Sequence, residues 1–220
     1  MRTVIAGGHG KIALRLATLL AHRGHEVTGV VRNPDQRADV EQTGASVVVL
    51  DLEHATPGDL ARHLEGADAV VFAAGAGPGS TAARKDTVDR AAAELLADAA
   101  ARAGVRRYVL VSSTGVDKEP DPSLGEVWVA YVAAKKAAEE ALRGRDDLDL
   151  TIVRPGRLTD DPGVGTVALS TGSLERTDVT RDDVAAVIAA LLEAPGTAGL
   201  TLELMGGADD IVGAVAAVQR

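Results

Sequence analysis

The chain has 220 residues, 46% apolar and 25% charged, which suits a water-soluble globule of about one domain. Aromatic residues make up only 2%: Trp128, Phe72, Tyr108 and Tyr131. With so few rings and a net charge of −9, a nucleic-acid partner is excluded, since neither stacked bases nor a phosphate backbone would be held. The absence of cysteine rules out disulfides, thiolate catalysis and Cys-ligated metals, and no metal site is expected.

No segment reaches the length of a membrane span, and the apolar run after Met1-Arg2-Thr3 is too short for a signal peptide. The expected location is the cytoplasm.

Short apolar runs alternate with helical patterns. Residues 3–7, 26–32, 46–52, 67–75, 106–113 and 148–156 read as strands. Helical patterns follow the first of them, cover 82–103 and 126–143, and return after Thr180, an N-cap that with Asp183 three positions on reads as a capping box. The strands are continuous apolar runs, as expected when helices cover both faces of a parallel sheet. The expected fold is α/β, a doubly wound parallel sheet, in one domain over 1–220. Residues 155–220 are expected to add a small irregular substrate region. Within it, 164–169 is a short apolar piece, 200–205 a late strand and 208–219 a final helix.

The first strand runs into Gly7-Gly8-His9-Gly10-Lys11-Ile12-Ala13. Glycines at 7 and 10 with a small residue at 13 allow a tight turn, approach to a pyrophosphate and close helix packing. The helix that follows offers free N–H groups and partial positive charge. Strand before and helix after are the context such a loop needs to bind a dinucleotide; a plain strand–helix turn is the alternative. His9 reads as an exposed side chain of the loop.

An acid at the end of the second strand, about 20 residues past the glycines, would select NAD. Arg32 stands there instead, followed by Asn33. Its guanidinium suits a 2′-phosphate, so the expected cofactor is NADP(H), with Asn33 and Arg37 as further donors. Asp51, beside Leu52, either accepts from the adenine or shapes a turn. Ala73, Ala74 and Gly75 end the fourth strand and let backbone lie against the adenosine and ribose.

Tyr131 and Lys135 lie four apart on a predicted helix and share a face. Ser112, Ser113 and Thr114 end the fifth strand. These groups meet where open α/β sheets bind ligands. A lysine ammonium favours the phenolate of a neighbouring tyrosine, and a hydroxyl can hold a substrate oxygen. Trp128, one turn before Tyr131, either walls the pocket or packs in the core.

VIAGGHGKIA (4–13), VVRNPDQ (30–36), DL (51–52), VLVSST (109–114), YVAAKKAAE (131–139), IVRPGRL (152–158) and TRDDVAAVI (180–188) together resemble the short-chain dehydrogenase/reductase superfamily. The resemblance is to its atypical NAD(P)H-binding branch, near the NmrA-like and biliverdin-reductase-B-like proteins. It implies a Rossmann fold, a nicotinamide cofactor and a catalytic Tyr131 and Lys135 with Ser113 or Thr114. It also implies that Pro155, Gly156 and Arg157 pass the nicotinamide end and begin the substrate pocket. The interval from the serines to Tyr131 is shorter than in most of the superfamily, which leaves the choice of hydroxyl open.

The expected function is an NADP(H)-dependent oxidoreductase acting on a small carbonyl or alcohol. A cofactor-binding redox sensor without turnover, and an epimerase or dehydratase, are the alternatives. Residues 157–180 carry no charged cluster or aromatic box, so the substrate is not readable. The Ala-rich helices at 90–103 and 132–142 suit either a homodimer or the chain's own sheet.

Overall fold

The computed structural model describes residues 1–77 and 79–220. In chain order the first half holds β1 (Arg2–Ala6), α1 (Lys11–His22), β2 (Glu26–Val31), α2 (Arg37–Glu41), β3 (Ser46–Val49), α3 (Pro57–Leu64) and β4 (Ala69–Phe72). A short α4 (Ala82–Arg84) passes through a π-helical stretch (Lys85–Ala91) into α5 (Ala92–Ala103). Then come β5 (Arg107–Val111), α6 (Glu126–Arg143), β6 (Asp149–Pro155), β7 (Arg157–Thr159), β8 (Thr166–Ser170), β9 (Asp178–Thr180), α7 (Arg181–Leu192), β10 (Thr201–Gly206), β11 (Asp209–Asp210) and α8 (Ile211–Val218).

Among the described residues the main sheet has nine strands, in the order β11-β8-β10-β6-β5-β4-β1-β2-β3. Seven of them, from β10 to β3, run parallel. Both faces are covered. Ile5, Val71, Val109 and Val153 face a core with α1, α7 and α8. Val4, Val70, Phe72, Tyr108 and Leu110 face a second core with α3, α5 and α6. Strand side chains alternate between the two faces, so strands buried on both sides must be apolar at every position. The alanines at 92, 93, 97, 99 and 100 are buried in the second core, so this Ala-rich face packs on the chain's own sheet.

Two readings of the sequence need correction. Residues 157–180 are not irregular: they supply β7 and β9, paired as a small parallel sheet, and β8, which joins the main sheet antiparallel to β10. Asp183 does not close a capping box. Thr180 does accept the Asp183 amide (3.0 Å), but the Asp183 carboxylate accepts the amides of Val164 (3.1 Å) and Gly165 (2.8 Å) and pins the chain just before β8.

The sequence reading also has no helix between β3 and β4. The signal for α3 lies in Thr56-Pro57-Gly58-Asp59, where Thr56 and Asp59 form a reciprocal capping box with proline at the first turn, followed by buried Leu60 and Leu64 four apart.

The strand order reverses between β1 and β4. In sheets of this kind the crevice beyond the strand ends at that point holds ligands. The chain after β1, β3, β4 and β5 leaves the sheet earlier than the apolar runs do, and these early exits build the walls described next.

Candidate dinucleotide and substrate site

Two cavities open beyond the parallel strand ends. The first, about 310 Å³, is lined by Gly7, His9, Gly10, Arg32, Asp51, Leu52 and Glu53 among others. The second, about 1150 Å³, runs past Ser112, Ser113, Thr114, Tyr131, Lys135, Gly156 and Arg157. Ala73, Ala74 and Gly75 line both, so the cavities form one continuous groove.

Gly7 turns the chain at the mouth of β1 with φ +80°, and a Cβ there would stand 2.5 Å from the Ala74 Cα. Glycine is therefore required by backbone conformation and by contact with the loop after β4. Gly8 lies behind the groove against Gly29 of β2, and its amide donates to the Val30 carbonyl (2.9 Å). Gly10 caps α1 without any side-chain cap bond. The first-turn amides of α1, at Lys11, Ile12 and Ala13, point out of the helix with no intrahelical acceptor. Such an uncapped N-terminus beside a glycine turn fits a pyrophosphate. The side chains of Lys11 and Ile12 do not line the groove; Lys11 pairs with Asp160 (2.5 Å).

The far end of the first cavity is charged. Arg32 donates to Glu53 (3.0 Å), which also accepts from Arg84 (2.6 Å) and from the Thr87 hydroxyl (2.6 Å). The hydrogen bonds from Arg84 and Thr87, aided by Arg32, hold the Glu53 carboxyl down at about 2, against a partial burial that pulls it up. Asp51 shapes the turn that presents Glu53: one of its oxygens accepts the Glu53 amide (3.0 Å) and the other meets His54 (3.1 Å). His9 pairs with Asp39 (2.7 Å). Asn33 lies off the groove, its side-chain oxygen accepting the Asp35 amide (3.0 Å). Sequence reasoning missed Glu53 and Arg84, because 31 residues separate these partners.

In the second cavity the three hydroxyls at the end of β5 have different fates. Ser112 donates to the buried Glu139, which also binds Arg154 (2.6 Å) and Arg143 (2.6 Å). Burial works against the Arg154 charge, but its bonds to Glu139 and Asp117 outweigh that and hold its pKa above the usual arginine value. Thr114 donates to Glu203 (3.2 Å), whose other oxygen accepts the Leu174 amide (2.8 Å). Ser113 reaches only its neighbour's carbonyl, at 3.4 Å.

Tyr131 and Lys135 both line the cavity, as their spacing on α6 requires. Lys135, however, is turned inward. Its ammonium donates to the Val111 carbonyl (3.0 Å), stands 3.5 Å from Asp89 and lies over the Phe72 ring (5.7 Å). The cation beside the Tyr131 ring is Lys85, 5.2 Å from its centroid. Asp89 is fully buried; one oxygen accepts the Ala76 amide (3.1 Å), and the other has no hydrogen-bond partner among the described residues. Lys85 and Asp89 went unread in the sequence, although they lie four apart in a helical pattern. Trp128 sits on the cavity wall, its ring 5.5 Å from that of Tyr131, whereas Tyr108 is buried and donates to the Ala93 carbonyl. Pro155 ends β6 behind the cavity, and Gly156 lets the chain pass Thr177 and Met205.

Fold, glycine turn and groove define a nicotinamide-dinucleotide protein of the Rossmann type, and residues 7–195 match the model of a family described as NAD(P)H-binding. The chain belongs to that family. It is 35% identical over 209 residues to a Bacillus subtilis (strain 168) protein called an uncharacterized sugar epimerase, YhfK, covering 94% of this chain and 95% of that one. A Bacillus halodurans structure, provisionally assigned as an NAD-dependent epimerase/dehydratase, superposes with a TM-score of 0.89 at 36% identity, over 99% of this chain and all of that one. ChuY of Escherichia coli O157:H7, described as an anaerobilin reductase, gives 0.79 at 25% identity over 94% and 97% of the two chains.

Proposed function

We propose that the protein is an NADP(H)-dependent oxidoreductase that reduces a small carbonyl compound or oxidises the corresponding alcohol. The observation that carries this reading is the joining of the glycine-turn cavity to the wide cavity of Tyr131 through Ala73–Gly75. A dinucleotide held at the glycine turn thereby reaches the tyrosine.

The chain's residues divide the work. The α1 amides and Gly7–Gly10 take the pyrophosphate. Arg32 and Arg84, sharing Glu53, take the 2′-phosphate, which favours NADP(H) over NAD(H). Asp89 offers Oδ1, which faces the Lys135 ammonium but accepts no hydrogen bond among the described residues, and Lys135 its ammonium, to hydroxyls at the nicotinamide end. When bound, the dinucleotide supplies or takes the hydride. Tyr131 exchanges the proton with the substrate oxygen, and Ser113, the least committed of the three hydroxyls, holds that oxygen. Tyr131 is the only tyrosine in position to act, since Tyr108 is sealed in the core.

The test is NADPH oxidation followed at 340 nm against aldehydes, ketones and quinones. Tyr131→Phe should lower kcat by about 10²–10⁴. Turnover that survives the substitution unchanged rejects the proton role. A second reading, epimerase or dehydratase, draws on the names of the Bacillus relatives. It predicts conversion of a sugar substrate with no net change at 340 nm.

A further inference from the structure

The wide cavity carries a charge opposite to that of the chain. The protein has a net charge of −9, yet five cationic side chains and only two carboxylates line this cavity. Three of the cations have carboxylate partners: Lys135 with Asp89 (3.5 Å), Arg157 with Asp178, and Arg181 with Asp160 (3.0 Å). Lys85 and Arg176 have none among the described residues.

The fold sets Lys85 in place. Lys85 is 8% exposed, and among the described residues its ammonium donates to the Gly77 carbonyl (3.1 Å). An ammonium has three donors, so it can also donate to a ligand. Burying a cation without an anion is costly, and an anionic ligand recovers that cost. Lys85 also opens the π-helical stretch, an irregularity that is frequent at functional sites. Arg176 is exposed to solvent at the cavity rim, with its guanidinium against Gly115. Neither cation touches the first cavity, where the glycine turn and α1 amides stand, so cofactor phosphates do not account for them. The opposite wall is apolar and open to solvent: Leu124, Val127 and Trp128 are 62%, 42% and 41% exposed.

We infer that the substrate is an amphipathic organic anion, with an apolar body against Trp128 and Val127 and a carboxylate paired with Lys85 and Arg176. The sequence hid this, because Lys85 comes from the π-helical stretch and Arg176 from the segment just before β9. The inference rests on reading this cavity as the substrate side of an oxidoreductase, so binding and turnover are measured separately.

Binding is measured on the NADP⁺-loaded protein with 4-cyclohexylbutanoate and its uncharged amide, by calorimetry and by the fluorescence of Trp128, the chain's single tryptophan. The acid should bind about tenfold more tightly than the amide, with affinity falling as salt rises. Lys85→Met and Arg176→Met should each cost the acid about tenfold and change the amide less than twofold. Equal binding of acid and amide, no saturable binding of either, or an acid affinity untouched by both substitutions overturns the inference. Turnover is measured with 4-carboxybenzaldehyde and its methyl ester, and kcat/KM should favour the acid. An ester reduced as well as the acid sinks the anion preference while leaving the oxidoreductase reading intact. Tight, salt-sensitive acid binding without reduction of either aldehyde supports the anion site and counts against the oxidoreductase reading.

Discussion

Lys135 and Asp89 form a buried ion pair, Nζ to Oδ1 3.5 Å, with side chains 5% and 0% exposed. Lys135 rises from α6 and Asp89 from the π-helical stretch, so the pair ties two elements together beneath the groove. Removing one partner strands the other charge. Asp89→Ala should therefore lower stability by about 3–5 kcal/mol in urea unfolding. Lys135→Met should cost a similar amount, and the double variant much less than the sum. Strictly additive losses would show that the two groups do not stabilise one another.

The adenosine end makes a different prediction, about cofactor choice. Arg32→Ala removes a charge-assisted contact to the 2′-phosphate and should raise the Kd for NADPH by about 10- to 100-fold, with a much smaller change for NADH. Glu53→Gln removes the carboxylate that competes for Arg32 and Arg84, so it should shift the NADPH-to-NADH affinity ratio upward. Titrations of both cofactors against both variants decide it. Equal losses for the two cofactors in Arg32→Ala would contradict the NADP reading.

Glu53 also predicts a pH dependence of stability. Its folded pKa, about 2, lies below the ordinary 4.5. The stabilisation is thus fully present above about pH 4.5 and is lost as pH falls from there through 2. At 1.36 kcal/mol per unit the shift corresponds to about 3–4 kcal/mol, and solvent screening of the partly exposed pair brings the contribution to about 2–3 kcal/mol. Glu53→Gln should be less stable than the wild type by that amount at pH 7, and the gap should close as pH falls below 4. A gap that stays constant from pH 7 to pH 3 would mean the three donors do not stabilise the carboxylate.

The legible parts of the site were those written locally. The glycine turn, the shared face of Tyr131 and Lys135 on α6 and the end of β5 each lie within a few residues, and hydrophobic period or spacing reveals them. Strand ends were read too long because Leu50, Leu52 and Ala73 are apolar without being in the sheet; their apolar character serves the cavity wall. The unread residues act across long separations. Thr114 finds Glu203 89 positions away, and Lys11 finds Asp160 at 149. No single-chain pattern encodes such meetings; the strand order brings them about. Lys135 shows the limit of a motif: spacing placed it on the Tyr131 face, but the Val111 carbonyl and Asp89 decide where its ammonium goes.

Glycine is demanded at position 7 by both backbone conformation and contact. Its φ of +80° is strained for any L-side chain, and a Cβ would press on the backbone of Ala74 rather than on a movable side-chain tip. Relief would push the loop after β4 away, and that loop is the wall shared by both cavities. Gly7→Ala should therefore lose about 1–2 kcal/mol to backbone strain alone and more to the displaced loop. NADPH affinity should fall at least tenfold, because the turn and the Ala73–Gly75 wall move together. Gly77→Ala serves as the comparison: it has a similar φ of +74° but no atom within 4 Å of its Cβ. It should show the strain cost with little change in affinity. If the two variants lose stability and NADPH affinity equally, contact with Ala74 is not what demands glycine at position 7.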